Sequence, residues 1–481
     1  MYVTADRVDP SVGWTTDAAR SSAPVSGGGR PAGRARSAGK VDRLGRGNVG
    51  CGLYAAAERD WLEPMSATTV MLVVGALMLL HLAGDLWLEW LNRREIRRAA
   101  GSPPPAALAI MDAPTFRRSG EYALAHQRLD VLESLFETGV LALVLFGGVL
   151  PLLFAHVAVL APGAPKWDDA LFILAAGLLL ALPGVPFEWW SQFRVEQRFG
   201  FNKSTPGLWV ADKLKGLALT VVIGFPILWL VLSLVRWVGE FWWIWAFAAL
   251  FAFQLLLLVG YPKFILPLFN RLTPLPEGEL RTRLLALSER TGFRASTIEV
   301  IDGSKRSAHS NAFFTGFGRF RRIVLYDTLI AQLTAEELEA VLAHEVGHYR
   351  RGHIPQRLAI SALTQFGGLW IVASLAASDW FNPAFGFPAG EIAPAFLLFS
   401  LLSGPVAFWC SPISNRLFRA QEYEADAFAR DATQGPAPLV SALRKLAEKN
   451  LSNLTPHPWY SGFHYSHPTL VERERALLKT A

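Results

Sequence analysis

The chain is short of charge and nearly free of cysteine. Asp, Glu, Lys and Arg make up only 18% of its 481 residues, against roughly a quarter in an ordinary soluble domain. With 52% hydrophobic residues and a mean hydropathy of +0.28, this excludes a disordered or fibrous chain and argues against a single soluble domain. Cys51 and Cys410 are the only cysteines, so a disulfide scaffold and a cysteine-based metal site are both excluded. The net charge of +6 is mild. It suits anionic lipid as well as an acidic partner, and no nucleic-acid partner is expected. Repeats at solenoid periods are also absent.

Residues 1–64 lack what a core needs. They read in part SGGGRPAGRARSAGK and hold few apolar residues, which predicts a disordered basic tail. No apolar h-region lies inside this stretch, so it is not a cleaved signal peptide, and its acidic residues argue against a transit peptide.

What is present is apolar sequence in long runs. Seven follow one another: Ala67–Trp90, Gly139–Ala161, Ala170–Trp190, Gly216–Trp237, Phe241–Tyr261, Leu358–Ala377 and Ile392–Cys410. Each approaches the ~20 helical residues needed to cross ~30 Å of hydrocarbon. Basic residues set the orientation. Arg93, Arg94, Arg97 and Arg98 follow the first run, and Arg194, Arg198, Lys203, Lys213 and Lys215 follow the third. The opposite loops carry only Lys166 and Arg236, and Ser378–Glu391 carries no Lys or Arg. The stretch between runs five and six and the C-terminal stretch are therefore expected in the cytoplasm. Trp189-Trp190 and Trp242-Trp243 read as interface anchors.

Those two stretches hold the polar sequence. Residues 270–356 read as mixed α/β. A helix is expected over Leu280–Thr291, with strands at Thr297–Asp302, Ser310–Phe317 and Arg322–Tyr326. Thr334 and Glu337 then form a capping box ahead of a helix whose buried stripe is Leu338, Val341 and Leu342.

That helix contains His344-Glu345-Val346-Gly347-His348. Histidines at i and i+4 share a face and reach one ion, with Glu345 beside the first to take a proton from bound water. Chance supplies roughly 0.01 such motifs in a chain of this composition. A catalytic zinc takes three protein ligands and keeps one position open. Glu422, in Gln421-Glu422-Tyr423-Glu424-Ala425-Asp426, is the candidate third ligand, with His467 the second choice. Asp426, four residues on, can accept the other ring N–H of a ligand histidine. Glu424 points to another face and reads as surface.

The residues together resemble a known family, the type I CAAX prenyl endopeptidases. The matching segments are Glu196–Thr205, Gly303–Asp327, Leu342–His353, Gln421–Phe428 and His464–Arg473, within a resemblance spanning about residues 67–479. Heat-shock membrane metalloproteases share the H-E-x-x-H motif but lack the FNK and HYSHP segments.

The resemblance implies a mainly α, polytopic membrane protein. Seven transmembrane helices would surround an intramembrane chamber, with a small cytoplasmic α/β zincin-like metalloprotease domain. It implies one Zn2+ held by His344, His348 and Glu422, with Glu345 as general base. Asn311 would align substrate on an edge strand, His467 would hydrogen-bond the substrate carbonyl or developing oxyanion, and Arg473 would brace the site. Phe313 stands where the family more often has Tyr. It keeps the strand and loses a hydroxyl. His309, His353, His457 and His464 receive no role.

The expected organisation is a tail (1–64), spans one to five (65–269), a catalytic segment with the H-E-x-x-H helix (270–356), spans six and seven (357–411), and a C-terminal catalytic segment with the third ligand (412–481). The implied activity is metalloendopeptidase cleavage of C-terminal tripeptides from prenylated proteins, so the partners are a peptide or protein substrate, lipidated in that case, and membrane lipid. A composition rich in Ala, Arg, Gly and Pro points to a bacterial cytoplasmic membrane. Such cells generally do not prenylate proteins, so quality control of non-prenylated membrane proteins is the alternative. A transporter with structural zinc is a third reading, which leaves Glu345 unexplained.

Overall fold

The computed structural model of the protein describes residues 65–160, 167–293, 297–315 and 322–479. The expected tail, 1–64, lies outside them. Among the described residues, five helical stretches are long and apolar enough to cross a membrane: Ala67–Gly101, Trp167–Phe199, Pro206–Phe269, His353–Ala376 and Ile392–Ala432. A sixth is the pair Ala113–Phe146 and Val149–Leu160, bent by 59° at its junction. The Pro206–Phe269 stretch is interrupted at Gly239, whose φ is +72°. Glycine adopts this left-handed conformation at little cost. Helices Phe225–Val238 and Trp242–Gly260, on either side, share one apolar cluster through Val231 and Ala246. Against the seven expected spans, the described residues thus hold five such stretches, or six with the bent pair, because runs four and five fall within the single stretch Pro206–Phe269.

The outer surface of these helices is what lipid requires. Leu72, Leu363 and Ile413 are 70%, 72% and 76% exposed. In water so many bare aliphatic side chains would be an aggregation hazard, whereas in hydrocarbon they cost nothing. Trp190 is exposed, as an interface anchor should be, but Trp242 is buried against Val231 and Leu369. Its neighbours in space, invisible in the local sequence, make it a core residue.

The polar segments fold onto one end of this bundle. Four short strands, β1 (Leu272–Pro274), β2 (Thr297–Ile301), β3 (Ala312–Thr315) and β4 (Arg322–Tyr326), form a sheet in the order β1-β2-β4-β3. β2 and β4 run parallel, and the outer strands are antiparallel to their neighbours. Three of the four strands lie where alternation placed them. β1 is three residues long and ends in proline, too short to show a period. The helix expected over Leu280–Thr291 runs Glu279–Arg290. Its Leu284 and Leu287 pack with Ile323 and Leu325 of β4 and with Leu338 and Val346 of helix Ala335–Arg350 in one core.

Helix Ala335–Arg350 starts at the expected capping box. Thr334 N–H donates to Glu337 Oε2 at 2.8 Å, and Glu337 N–H donates to Thr334 Oγ1 at 3.3 Å. Ser441 and Lys445 also donate to Glu337, tying the cap to helix Ala437–Lys449. Thr334→Ala is expected to cost about 1 kcal/mol of stability. Thermal unfolding in detergent would check this, and an unchanged melting temperature would contradict the cap's role.

Candidate metal centre

Helix Ala335–Arg350 carries His344, Glu345 and His348, and helix Ile392–Ala432 carries Glu422. All four are at most 2% exposed. Gly347 explains how closely the helices pack: a Cβ there would stand 3.0 Å from both the Cα and the carbonyl oxygen of Ala425. Any side chain would push the backbones apart, so the second variable position of the motif has to be glycine here.

This approach brings three potential ligand atoms together. His344 Nε2 and His348 Nε2 lie 3.2 Å apart. Glu422 Oε2 is 3.4 Å from the first, and Glu422 Oε1 is 3.2 Å from the second. Ligands roughly 2.0–2.1 Å from one tetrahedral ion stand about 3.3 Å apart. These separations would also suit hydrogen bonds, yet neither Glu422 oxygen has a hydrogen-bond partner in proper geometry. One ligand atom from each of the three residues lies within 4.8 Å of the other two, close enough to share a single ion. His344, His348 and Glu422 form the one such group among the described residues, and they fit a metal.

The outer partners of the imidazoles are equally specific. His344 Nδ1 lies 2.8 Å from Asp426 Oδ1. Arg473 clamps that carboxylate through Nη2 at 2.6 Å and Nε at 2.9 Å. His348 Nδ1 contacts His353 Nδ1 at 2.8 Å, and His353 Nε2 reaches Glu424 Oε2 at 3.1 Å. Each ring is therefore oriented from behind, as metal-ligating histidines usually are. Burial opposes protonation of both. On His344 the bonds to Asp426 and Glu422 outweigh burial and raise its pKa to about 9. On His348 burial prevails and its pKa falls to about 3. Metal loading then competes with a proton at His344.

Both Glu345 oxygens are buried and unpartnered, and burial pushes its carboxyl above the ordinary range. His467 Nδ1 lies 2.9 Å from Glu422 Oε2, with its side chain 26% exposed. Asn311 lies immediately before β3 at the sheet edge. Its carbonyl accepts from Tyr326 N–H at 3.1 Å, and its Oδ1 accepts from Ala312 N–H at 2.8 Å. The structure therefore gathers His344, Glu345, His348, Glu422, Asp426, His467 and Arg473 at one point and sets Asn311 on the neighbouring strand edge.

Sequence reasoning missed two members. His353 was without a role, yet it is 1% exposed and backs His348. Glu424 is exposed as expected but ends that relay. The available signal was the spacing of five between His348 and His353 across the helix break at Gly352, which has φ +72°.

Comparison with known proteins matches this arrangement. Residues 92–271 match a family model described as CAAX prenyl protease N-terminal, five membrane helices, and residues 274–481 match peptidase family M48. The CAAX prenyl protease 1 homolog of Oryza sativa is 36% identical over 384 residues, covering 78% of this chain and 89% of its own. CAAX prenyl protease 1 of Saccharomyces cerevisiae is 35% identical, with 78% and 88% covered. The chain belongs to the CAAX prenyl protease 1 family. The human homolog is 30% identical across 98% of its own length. The crystal structure of S. mikatae Ste24p superposes with a TM-score of 0.78 at 32% identity, covering 86% of this chain and all of that one. The M48 match contains every residue of the metal cluster. Membership makes the protein an integral, multi-pass membrane metalloendopeptidase acting on a peptide or protein substrate, with a fold that is mainly α and a small sheet in the protease part.

Proposed function

We propose that the chain uses one zinc ion to cleave C-terminal tripeptides from prenylated proteins, on the cytoplasmic face of its membrane. The observation that carries this is a buried triad whose ligand atoms lie within 4.8 Å of one another, beside a carboxylate with no hydrogen-bond partner of its own. His344, His348 and Glu422 hold the metal. Zinc, when bound, acidifies a water and polarises the scissile carbonyl. Glu345 is the general base. It takes a proton from the attacking water and delivers it to the leaving amine. Buried and without a hydrogen-bond partner, its carboxylate is left free to accept that proton. His467 donates to the substrate oxygen as negative charge develops there. The outer edge of β3, led in by Asn311, pairs with extended substrate by strand addition. Asp426 and Arg473 hold His344 in place.

On this reading residues 65–269 and 357–411 form the membrane part, and 270–356 and 412–481 form the catalytic part. The basic loops on one side support the orientation. Three relatives named as CAAX prenyl protease 1 or its homolog support the substrate class.

The test uses purified protein in detergent. A farnesylated CAAX peptide and its unmodified counterpart are followed by mass spectrometry, with zinc measured per chain. Loss of three C-terminal residues from the farnesylated peptide is expected. Cleavage of the unmodified peptide alone would transfer the reading to quality control of non-prenylated proteins, and cleavage of neither would remove it.

A further inference from the structure

One cavity near the metal centre has an unusual wall. It encloses about 420 Å³, within the range of sites that hold small ligands, and Asn92, Asn311, Asn450 and Asn453 all line it. In each of the four, the side-chain oxygen is already taken by a backbone N–H. Asn92 Oδ1 accepts from His457 at 3.2 Å, Asn311 Oδ1 from Ala312 at 2.8 Å, Asn450 Oδ1 from Ser310 at 3.4 Å and Asn453 Oδ1 from Thr455 at 3.1 Å. Because a backbone donor fixes each oxygen, the amides cannot be turned around. Each is left with its N–H2 group to offer.

Two polar atoms in this wall are stranded. Asn453 Nδ2 and Ser310 Oγ are buried without a hydrogen-bond partner, and Ser310 is only 1% exposed. Each such group in a native fold calls for an explanation, and a bound group that draws it into a hydrogen bond is one. Among the described residues, Glu196 is the sole acidic residue of the lining. Tyr122 donates to Glu196 Oε1 at 2.6 Å. His126 Nε2 stands 2.8 Å from the same oxygen, and His309 Nε2 lies 3.2 Å from Oε2. Its oxygens are occupied and do not compete for the amide donors. Among the described residues the lining contains no Lys or Arg, so recognition here rests on amide, hydroxyl and imidazole groups.

The position relates the cavity to the chemistry. Asn311 leads into β3, the sheet edge nearest the site. Tyr465 is in the wall, and His467, two residues on, touches Glu422 at 2.9 Å. Two residues of chain reach at most about 7 Å. Three residues of extended peptide reach about 10 Å.

We propose that this cavity receives the free C-terminal carboxylate of the peptide substrate, bound by the side-chain N–H2 groups of Asn92, Asn311, Asn450 and Asn453. A carboxylate is an acceptor-only group with about four lone-pair sites, the complement of a wall rich in donors and poor in acceptors. The inference rests on the proposed cleavage close to a C-terminus. It adds the reason that the cut falls a fixed, short distance from the chain end: the carboxylate is held in the cavity while the edge strand presents the bond.

The experiment compares peptides of one sequence ending in a free acid or in a carboxamide. Binding of fluorescent versions is measured on the Glu345→Gln variant, and cleavage on the wild type. The acid is expected to be favoured by about 10²-fold or more in both, because a carboxamide brings donors against donors. Asn453→Asp keeps the shape and the bond from Thr455 but replaces the donor with an anion. It should narrow the acid-to-amide ratio at least about tenfold, and Asn92→Asp, on another element, should narrow it similarly. Equal affinity for acid and amide in the parent protein, or equal weakening of both peptides by Asn453→Asp, overturns the proposal. The binding ratio is read without turnover, so failure of this inference is distinct from failure to cleave prenylated peptides.

Discussion

Glu345→Gln is expected to lower kcat by about 10²- to 10⁴-fold while leaving zinc content and peptide affinity unchanged. The amide has nearly the same shape as the carboxyl, and Glu345 makes no hydrogen bond that the fold would lose. Its carboxylate is not one of the three converging ligands. The variant therefore removes a proton acceptor and nothing else. Zinc per chain, the affinity for an uncleaved peptide, and single-turnover cleavage are the measurements. Full activity in this variant would sink the general-base assignment. Loss of zinc would mean that Glu345 serves the metal directly. The stability of Glu345→Gln should match or exceed the parent, because a buried carboxyl without partners is costly to the fold.

How much of this could be seen in the chain itself depended on distance along it. The H-E-x-x-H ligands were legible because helical geometry alone puts i and i+4 on one face. The cap at Thr334 and Glu337 was legible for the same reason: its partners are three residues apart. Glu422 was readable as an acidic residue on a polar helix just inside the last span, with Asp426 one turn on. Its alternative, His467, contacts Glu422, so both candidates stand at the centre. What could not be read depends on contacts between distant elements. Gly347 looks like filler in a motif until Ala425 is found 3.0 Å from its missing Cβ. His353 looks like surface until the helix break at Gly352 folds it behind His348. The four asparagines of the cavity look unrelated locally: Asn92 is inside a helix, Asn311 precedes β3 and Asn450 ends helix Ala437–Lys449. Two of them, Asn92 and Asn450, acquire their direction from segments far away in sequence. The apolar runs were legible because lipid selects length and composition, but the burial of Trp242 was decided by helix packing.

Asp426→Asn is expected to damage the protein in two separable ways. Asp426 and Arg473 are 2% and 5% exposed, so their pairing is a buried one. Removing one charge from such a pair typically costs about 3–5 kcal/mol, because the other is left uncompensated. Arg473 would keep its contact with His344 Nδ1 at 3.3 Å and, as an ion-pair partner, Glu422 at 3.9 Å. The same substitution weakens the acceptor behind His344 Nδ1, and such changes lower metal affinity about 10- to 100-fold. A paired replacement, Asp426→Leu with Arg473→Met, removes both charges at once. It should recover most of the stability, since apolar residues of similar volume often replace buried ion pairs without loss. It should not recover metal affinity, because His344 still lacks its acceptor. Thermal unfolding of the metal-free protein reads the first effect, and zinc competition against a chelator reads the second. If the double variant regains both, the Asp426–Arg473 pair supports the fold alone. If it regains stability and not zinc affinity, Asp426 positions His344 for the metal, and Arg473 is there to hold Asp426 as a buried anion.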